Sequence, residues 1–107
     1  MIAYELRHTM YIWEDCTTEV NTLLFETEED AIEYLNIKKI DIIDEYCEHL
    51  NLQHSSNSSI ALRQYILSTS EETYNDYTEE DDYFYVELEE FGHDILEITK
   101  KELLKFN

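Results

Sequence analysis

The sequence predicts an α+β domain: an antiparallel sheet with helices packed on one face, in the order ββα(α)(α)ββ(α). Three observations carry that expectation. Apolar residues alternate at period two near both ends of the chain, as half-buried strands require. In the middle they recur at helical spacing, with acids on the opposite half of the wheel. The 107 residues, 43% of them hydrophobic, suffice for one core, so residues 1–107 are expected to form a single domain.

Ile2 to Trp13 sets Ile2, Tyr4, Leu6, His8, Met10 and Ile12 on one face. Ala3, Glu5, Arg7, Thr9, Tyr11 and Trp13 take the other. Glu14 to Thr17 supplies a turn, and Thr18 to Phe25, rich in Thr, Val, Leu and Phe, is the return strand of a hairpin. Thr27 then has the character of an N-cap, because Glu28, Glu29 and Asp30 follow where the helix dipole favours anions. Ala31, Ile32 and Leu35 share a face. The register changes around Asn36, which predicts a break and a second helix from Lys39 to Leu52. There Ile40, Ile42, Ile43, Tyr46, Cys47 and Leu50 turn inward, and Asp41, Asp44, Glu45 and Glu48 turn outward.

Gln53 to Ser59 is a polar loop by composition. Ser59 to Ser68 fits a short third helix with Leu62, Tyr65 and Ile66 inward, and fits a strand nearly as well. Residues 70–82 are expected to form an exposed acidic linker. Tyr83 to Phe91 alternates again, with Phe84, Val86 and Leu88 against Tyr83, Tyr85, Glu87 and Glu89. Phe91-Gly92-His93-Asp94 is the expected turn, since the only glycine of the chain can take positive φ. Asp94 to Ile98 forms a last strand, and Thr99-Lys100-Lys101-Glu102 matches a capping box opening a final helical turn with Leu103, Leu104 and Phe106.

Charge narrows the functional classes. Seven Lys and Arg stand against 26 Asp and Glu, for a formal net charge of −19. Nucleic acid and anionic membranes need basic patches, so neither is expected as a direct ligand. No apolar run reaches the length of a membrane span, and Cys16 and Cys47 make no CxxC pair or disulfide framework. These features point to a cytoplasmic protein. One glycine cannot build a phosphate-cradling loop or a dinucleotide fingerprint, and no cofactor is expected.

Individual sites read weakly. Cys47 and His49 point about 200° apart on a helix of 100° per residue, so they cannot join His54 around one ion. Asp76 to Glu87 has the length of a calcium-binding loop, but Asp81 stands where that loop needs glycine. His8, His93 and Asp94 lack a serine or cysteine motif to join them, and the protein is not expected to be an enzyme.

The acidic surface recurs across elements instead. From Glu71 to Glu90, ten of twenty residues are acids and four are Tyr. Asp41, Asp44, Glu45 and Glu48 repeat at roughly 4.5 to 6 Å along a helix axis. Glu87 and Glu89 lie roughly 6.8 Å apart along a strand. Both steps are comparable to the spacing of successive phosphates. Tyr74, Tyr77, Tyr83 and Tyr85 add the flat amphipathic surface that anchors interfaces. The partner-binding candidates are Asp41, Asp44, Glu45, Glu48, Glu79, Glu80, Asp81, Asp82, Tyr83, Tyr85, Glu87 and Glu89.

With these carboxylates on several elements of a small, very acidic chain, the protein resembles a class of inhibitors with which bacteriophages and mobile elements block host defences. That class includes anti-restriction proteins, inhibitors of uracil-DNA glycosylase and anti-CRISPR proteins. The resemblance implies a non-catalytic DNA mimic that occupies the nucleic-acid-binding cleft of a basic enzyme or effector complex. Two other readings fit the same charge: an immunity protein or antitoxin that neutralises a basic nuclease toxin, and an accessory protein whose acidity only maintains solubility. The neutral segment from Asn51 to Ser70 offers a further contact, although an ordinary packed connection is the favoured account of it.

Overall fold

In the computed structural model, which describes residues 1–14, 16–52 and 58–102, the chain is an α+β domain built on one five-stranded antiparallel sheet. The elements run β1 (Ile2–Ile12), β2 (Thr17–Phe25), α1 (Glu28–His49), α2 (Ser58–Thr69), β3 (Asp76–Glu80), β4 (Tyr83–Leu88) and β5 (Gly92–Glu102). Their order across the sheet is β2-β1-β5-β4-β3, so the two terminal regions meet at its centre. β1 and β5 pair along their full eleven residues, from Ile2 against Glu102 to Ile12 against Gly92.

Register decides which side chains meet. His8, Leu96 and Phe84 lie in one cross-strand row, Leu6 stands opposite Ile98, and Met10, Asp94 and Val86 mark a further row on the same face. Both helices cover this face. Leu35, Ile42, Ile43, Tyr46 and Cys47 of α1 and Leu62 and Ile66 of α2 close over Leu6, Phe84, Val86, Leu88 and Leu96. Burying one such side chain contributes about 1.5–3 kcal/mol, so this layer contact supplies most of the folding drive. Among the described residues, no helix covers the other face.

Thr27 caps α1: its hydroxyl accepts from the Asp30 N–H at 3.2 Å, with Glu28, Glu29 and Asp30 in the first turn. α1 then runs unbroken to His49, so the break expected at Asn36 is absent. The apolar pattern shifts there because α1 meets different neighbours along its length. Ile37 and Ile40, one of them expected inside, face solvent at 53% and 58% exposure. Lys39 instead reaches Glu79 of β3 at 3.4 Å. The helix ends through Asn51, which adopts φ 56° in the left-handed region, while the Leu52 N–H returns to the Cys47 carbonyl at 2.8 Å.

Three further expectations change. The acidic segment 70–82 is no linker along its whole length, because Asp76–Glu80 is a strand paired with β4 through the two-residue turn Asp81-Asp82. Neither turn residue has positive φ, so the turn lacks the Asn-Gly or Asp-Gly signature that would announce it. His93 and Asp94 belong to β5, and the β4–β5 turn falls at Glu89 to Phe91. Gly92 has φ 148° and sits where an added Cβ would meet the Tyr11 carbonyl oxygen at 2.0 Å, which accounts for the one glycine. Thr99 to Glu102 is strand, held by β1 residues Glu5 to Ile2, so long-range pairing overrides the local capping signal. The final turn expected at Leu103, Leu104 and Phe106, and most of the polar loop at 53–57, lie outside the described residues.

Candidate functional site

The open face of the sheet gathers chemistry that the sequence disperses. Alternation and register put Asp76, Thr78 and Glu80 of β3, Tyr83, Tyr85 and Glu87 of β4, and His93, Ile95 and Glu97 of β5 on this side. Asp76 stands opposite Glu87, and Glu87 opposite His93. Two strand steps away, Glu80 stands opposite Tyr83, and Tyr83 opposite Glu97. Two carboxylate rows thus bracket a central row of Thr78, Tyr85 and Ile95. Four residues separate Asp76 from Glu80, so the rows lie roughly 14 Å apart.

An aromatic ladder crosses the same face. His93 stacks between Tyr11 and Tyr85, with ring centroids at 5.5 and 6.2 Å. Trp13 packs edge-on against Tyr11 at 4.8 Å and donates its indole N–H to the Leu88 carbonyl at 3.2 Å. These contacts hold the rings in place and reduce the rotamer freedom lost on binding. Tyr85 donates its hydroxyl to Glu87 Oε1 at 2.7 Å. Burial first, and then that carboxylate, push the Tyr85 phenol above its ordinary range, so it stays a neutral donor.

The anticipated acids fall into separate groups. Glu80, Asp81, Asp82 and Glu89 are exposed, and Tyr83, Tyr85 and Glu87 are half-buried on the open face or its rim. Glu79 points to the helix side. It binds Lys39 at 3.4 Å and Arg63 at 3.2 Å, and accepts from the Tyr77 hydroxyl at 3.3 Å. Two cations neutralise it locally and tie α1 and α2 to β3. Asp41, Asp44, Glu45 and Glu48 belong to α1, across the sheet from Tyr83 and Tyr85. One flat surface cannot touch both sets. Asp76, Glu97, Tyr11, Trp13 and His93 were missed, although parity with Tyr85 finds them once the register is known.

The basic groups of the open face lie on β1 and β5: Arg7 stands opposite Glu97 and binds Glu5 at 3.3 Å, and Lys101 binds Glu5 at 3.0 Å. β3 and β4 carry no basic residue.

On the helix side, Asp94 forms a buried polar tie. His8 donates a ring N–H from Nε2 to its Oδ1 at 2.7 Å, and Tyr46 donates to its Oδ2 at 2.8 Å. One carboxylate thereby joins β1, β5 and α1. Burial, then Asp94, push the Tyr46 phenol far above its usual range, keeping the O–H intact. Glu45 is pushed up as well, by burial first and Asp94 second. A cleft of about 210 Å³ beside His8 is lined by Leu6, Asn21, Thr22, Leu23, Tyr34 and Lys38. Cys47 lies buried with its thiol toward the Ser58 carbonyl at 3.5 Å, and His49 stacks on Phe91 at 4.3 Å. Among the described residues no cluster of three metal-ligating side chains occurs, and no helix is long and apolar enough to cross a membrane.

No protein-family model, curated protein or solved structure matches the chain.

Proposed function

We propose that this protein is a non-catalytic acidic inhibitor that binds a basic, nucleic-acid-binding protein in the cytoplasm and occludes the cleft where that partner holds phosphates. The observation that carries the reading is the open face at β3, β4 and β5. There Asp76, Glu80, Glu87 and Glu97 surround Tyr83 and Tyr85 on a rigid sheet, with no Lys or Arg on β3 or β4. The carboxylate rows, roughly 14 Å apart, approach the roughly 12 Å width of the major groove between phosphate strands. A cleft built for phosphates is preorganised for anions, and complementary charge accelerates encounter by roughly 10 to 10³ at low salt. Tyrosines supply contact area that carboxylates alone lack. The anti-defence inhibitors, anti-CRISPR proteins among them, are the class whose mode of action this reading adopts.

Asp81, Asp82 and Glu89 extend the surface at its two ends. The α1 set of Asp41, Asp44, Glu45 and Glu48 has no part in this contact, and Glu79 serves the fold. The test is competition. A partner isolated from host lysate should release the protein when duplex DNA or RNA is added, and affinity should fall steeply with salt. A partner that binds nucleic acid and this protein together, without mutual weakening, contradicts occlusion.

A further inference from the structure

The two edges of the sheet are treated very differently. β3 is short, at five residues, and carries Asp76, Glu79 and Glu80, which deter edge-to-edge pairing. β2 has nine residues and a single carboxylate, Glu19. All but Phe25 are exposed, including Val20 at 55% and Leu24 at 59%, and among the described residues no strand pairs with its outer backbone edge. A long, exposed, nearly uncharged edge is a template for another strand.

We propose that β2 pairs antiparallel with β2 of a second copy of this chain, joining two sheets into one about a two-fold axis at Asn21. The strand is self-complementary in that register. Thr17 meets Phe25 of the second copy, Thr18 meets Leu24, Glu19 meets Leu23, and Val20 meets Thr22. No charge stands opposite a charge, and the two Glu19 carboxylates end roughly 14 Å apart, beyond the roughly 8 Å Debye length. On the open face, Val20 and Leu24 of both copies become diagonal neighbours across the seam, within apolar reach.

The distribution of charge favours a second copy over a basic segment of another protein. β2 offers a basic strand only Glu19 to pair with. The acidic faces at β3 and β4 lie on the far side of each sheet, so pairing at β2 leaves the two β3 edges roughly 40 Å apart, where salt screens them fully. Both copies carry the same formal net charge of −19, so screening by salt lowers their mutual repulsion. Self-association therefore tightens as salt rises, the reverse of what is expected for binding to a basic target. The two proposals can fail independently.

Sedimentation of the full chain across concentration and sodium chloride tests the pairing. The expected result is a species of twice the 12.9 kDa chain mass that is favoured by high salt. Val20→Lys and Leu24→Lys alter exposed side chains and leave the fold intact. Each should weaken association at least about tenfold by placing charge at the seam. In a Cys16→Ser background, Asn21→Cys should cross-link rapidly on oxidation. Paired strands hold opposing Cα atoms at about 4.5–5.5 Å, within the range a disulfide spans. Thr18→Cys, roughly 20 Å from its twin, should not. A monomer under every condition, an undiminished dimer in both lysine variants, or cross-linking of Thr18→Cys as fast as Asn21→Cys overturns the proposal. So does protection of β2 amides that appears only with an unrelated partner, which would assign the edge to a foreign strand.

Discussion

Tyr46→Phe isolates the polar tie under α1. The substitution keeps the ring, whose edge-on contact with Phe91 at 4.9 Å is unchanged, and removes only the hydroxyl that donates to Asp94 Oδ2 at 2.8 Å. Asp94 is 5% exposed, so no solvent replaces the lost donor. A hydrogen bond to a charged group is worth about 1.5–3 kcal/mol, and an orphaned buried acceptor keeps the whole of that cost. For a domain of this size, with about 2.1 cal/mol/K of unfolding entropy per residue, the melting temperature should fall by roughly 7–13 °C. Tyr85→Phe is the control. It removes a bond of similar length to Glu87 on the open face, where water can take over, and should cost below about 1 kcal/mol. Thermal unfolding followed by circular dichroism reads both variants. Equal losses, or a loss for Tyr46→Phe under about 0.5 kcal/mol, would refute the view that Asp94 fastens the helix layer to the sheet.

The helix face gives a second contrast: Ile43→Ala, at 4% exposure, should cost about 2–5 kcal/mol, and Ile40→Ala, at 58%, about 0.5 kcal/mol or less by chemical denaturation. Glu45 has a folded-state carboxyl raised above its ordinary value, so the folded state holds more protons once pH exceeds the unfolded value near 4.5, and stability falls as pH rises through the raised value. Glu45→Gln should then stabilise the fold at pH 7, by an amount that solvent screening keeps below about 1 kcal/mol, and raise its melting temperature. The gain should vanish below pH 4.5, and a gain that persists there contradicts the electrostatic cause. Sodium chloride should raise the melting temperature of the wild-type protein, because 26 acids face seven bases; a fall on adding salt would mean that ion pairs outweigh repulsion.

Much of the fold is legible in local pattern. The period-two alternation of Ile2 to Ile12 and of Tyr83 to Leu88, the Thr27 cap and the buried residues Leu62 and Ile66 all follow from short-range spacing. The errors at β3 and at Thr99 to Glu102 share one cause, which is pairing at long range. β3 has acids and an Asp-Asp turn in place of a hydrophobic run, and it becomes a strand because β4 offers it an edge and Arg63 and Lys39 neutralise Glu79. Thr99 to Glu102 is drawn into β5 by β1. The same limit applies to the candidate surface. Composition shows that carboxylates and tyrosines are abundant, but only register shows that Asp76, Glu87, Glu80 and Glu97 share a face while Glu79 and the α1 acids do not. His8 and Asp94 lie 86 residues apart and gave no local sign of meeting.

The central claim is that the open face, and no other acidic surface, recognises the partner. The measurement is the equilibrium affinity of one captured partner for two charge-neutralised variants compared with wild type. One variant carries Glu80→Gln, Asp81→Asn, Asp82→Asn and Glu87→Gln; the other carries Asp41→Asn, Asp44→Asn, Glu45→Gln and Glu48→Gln. The account predicts that the first associates more slowly and binds at least about tenfold more weakly, with a shallower salt dependence. The second should bind within about twofold of wild type, since α1 faces away from the contact. Weakening confined to the α1 variant, or equal weakening in both, would contradict recognition through the open face.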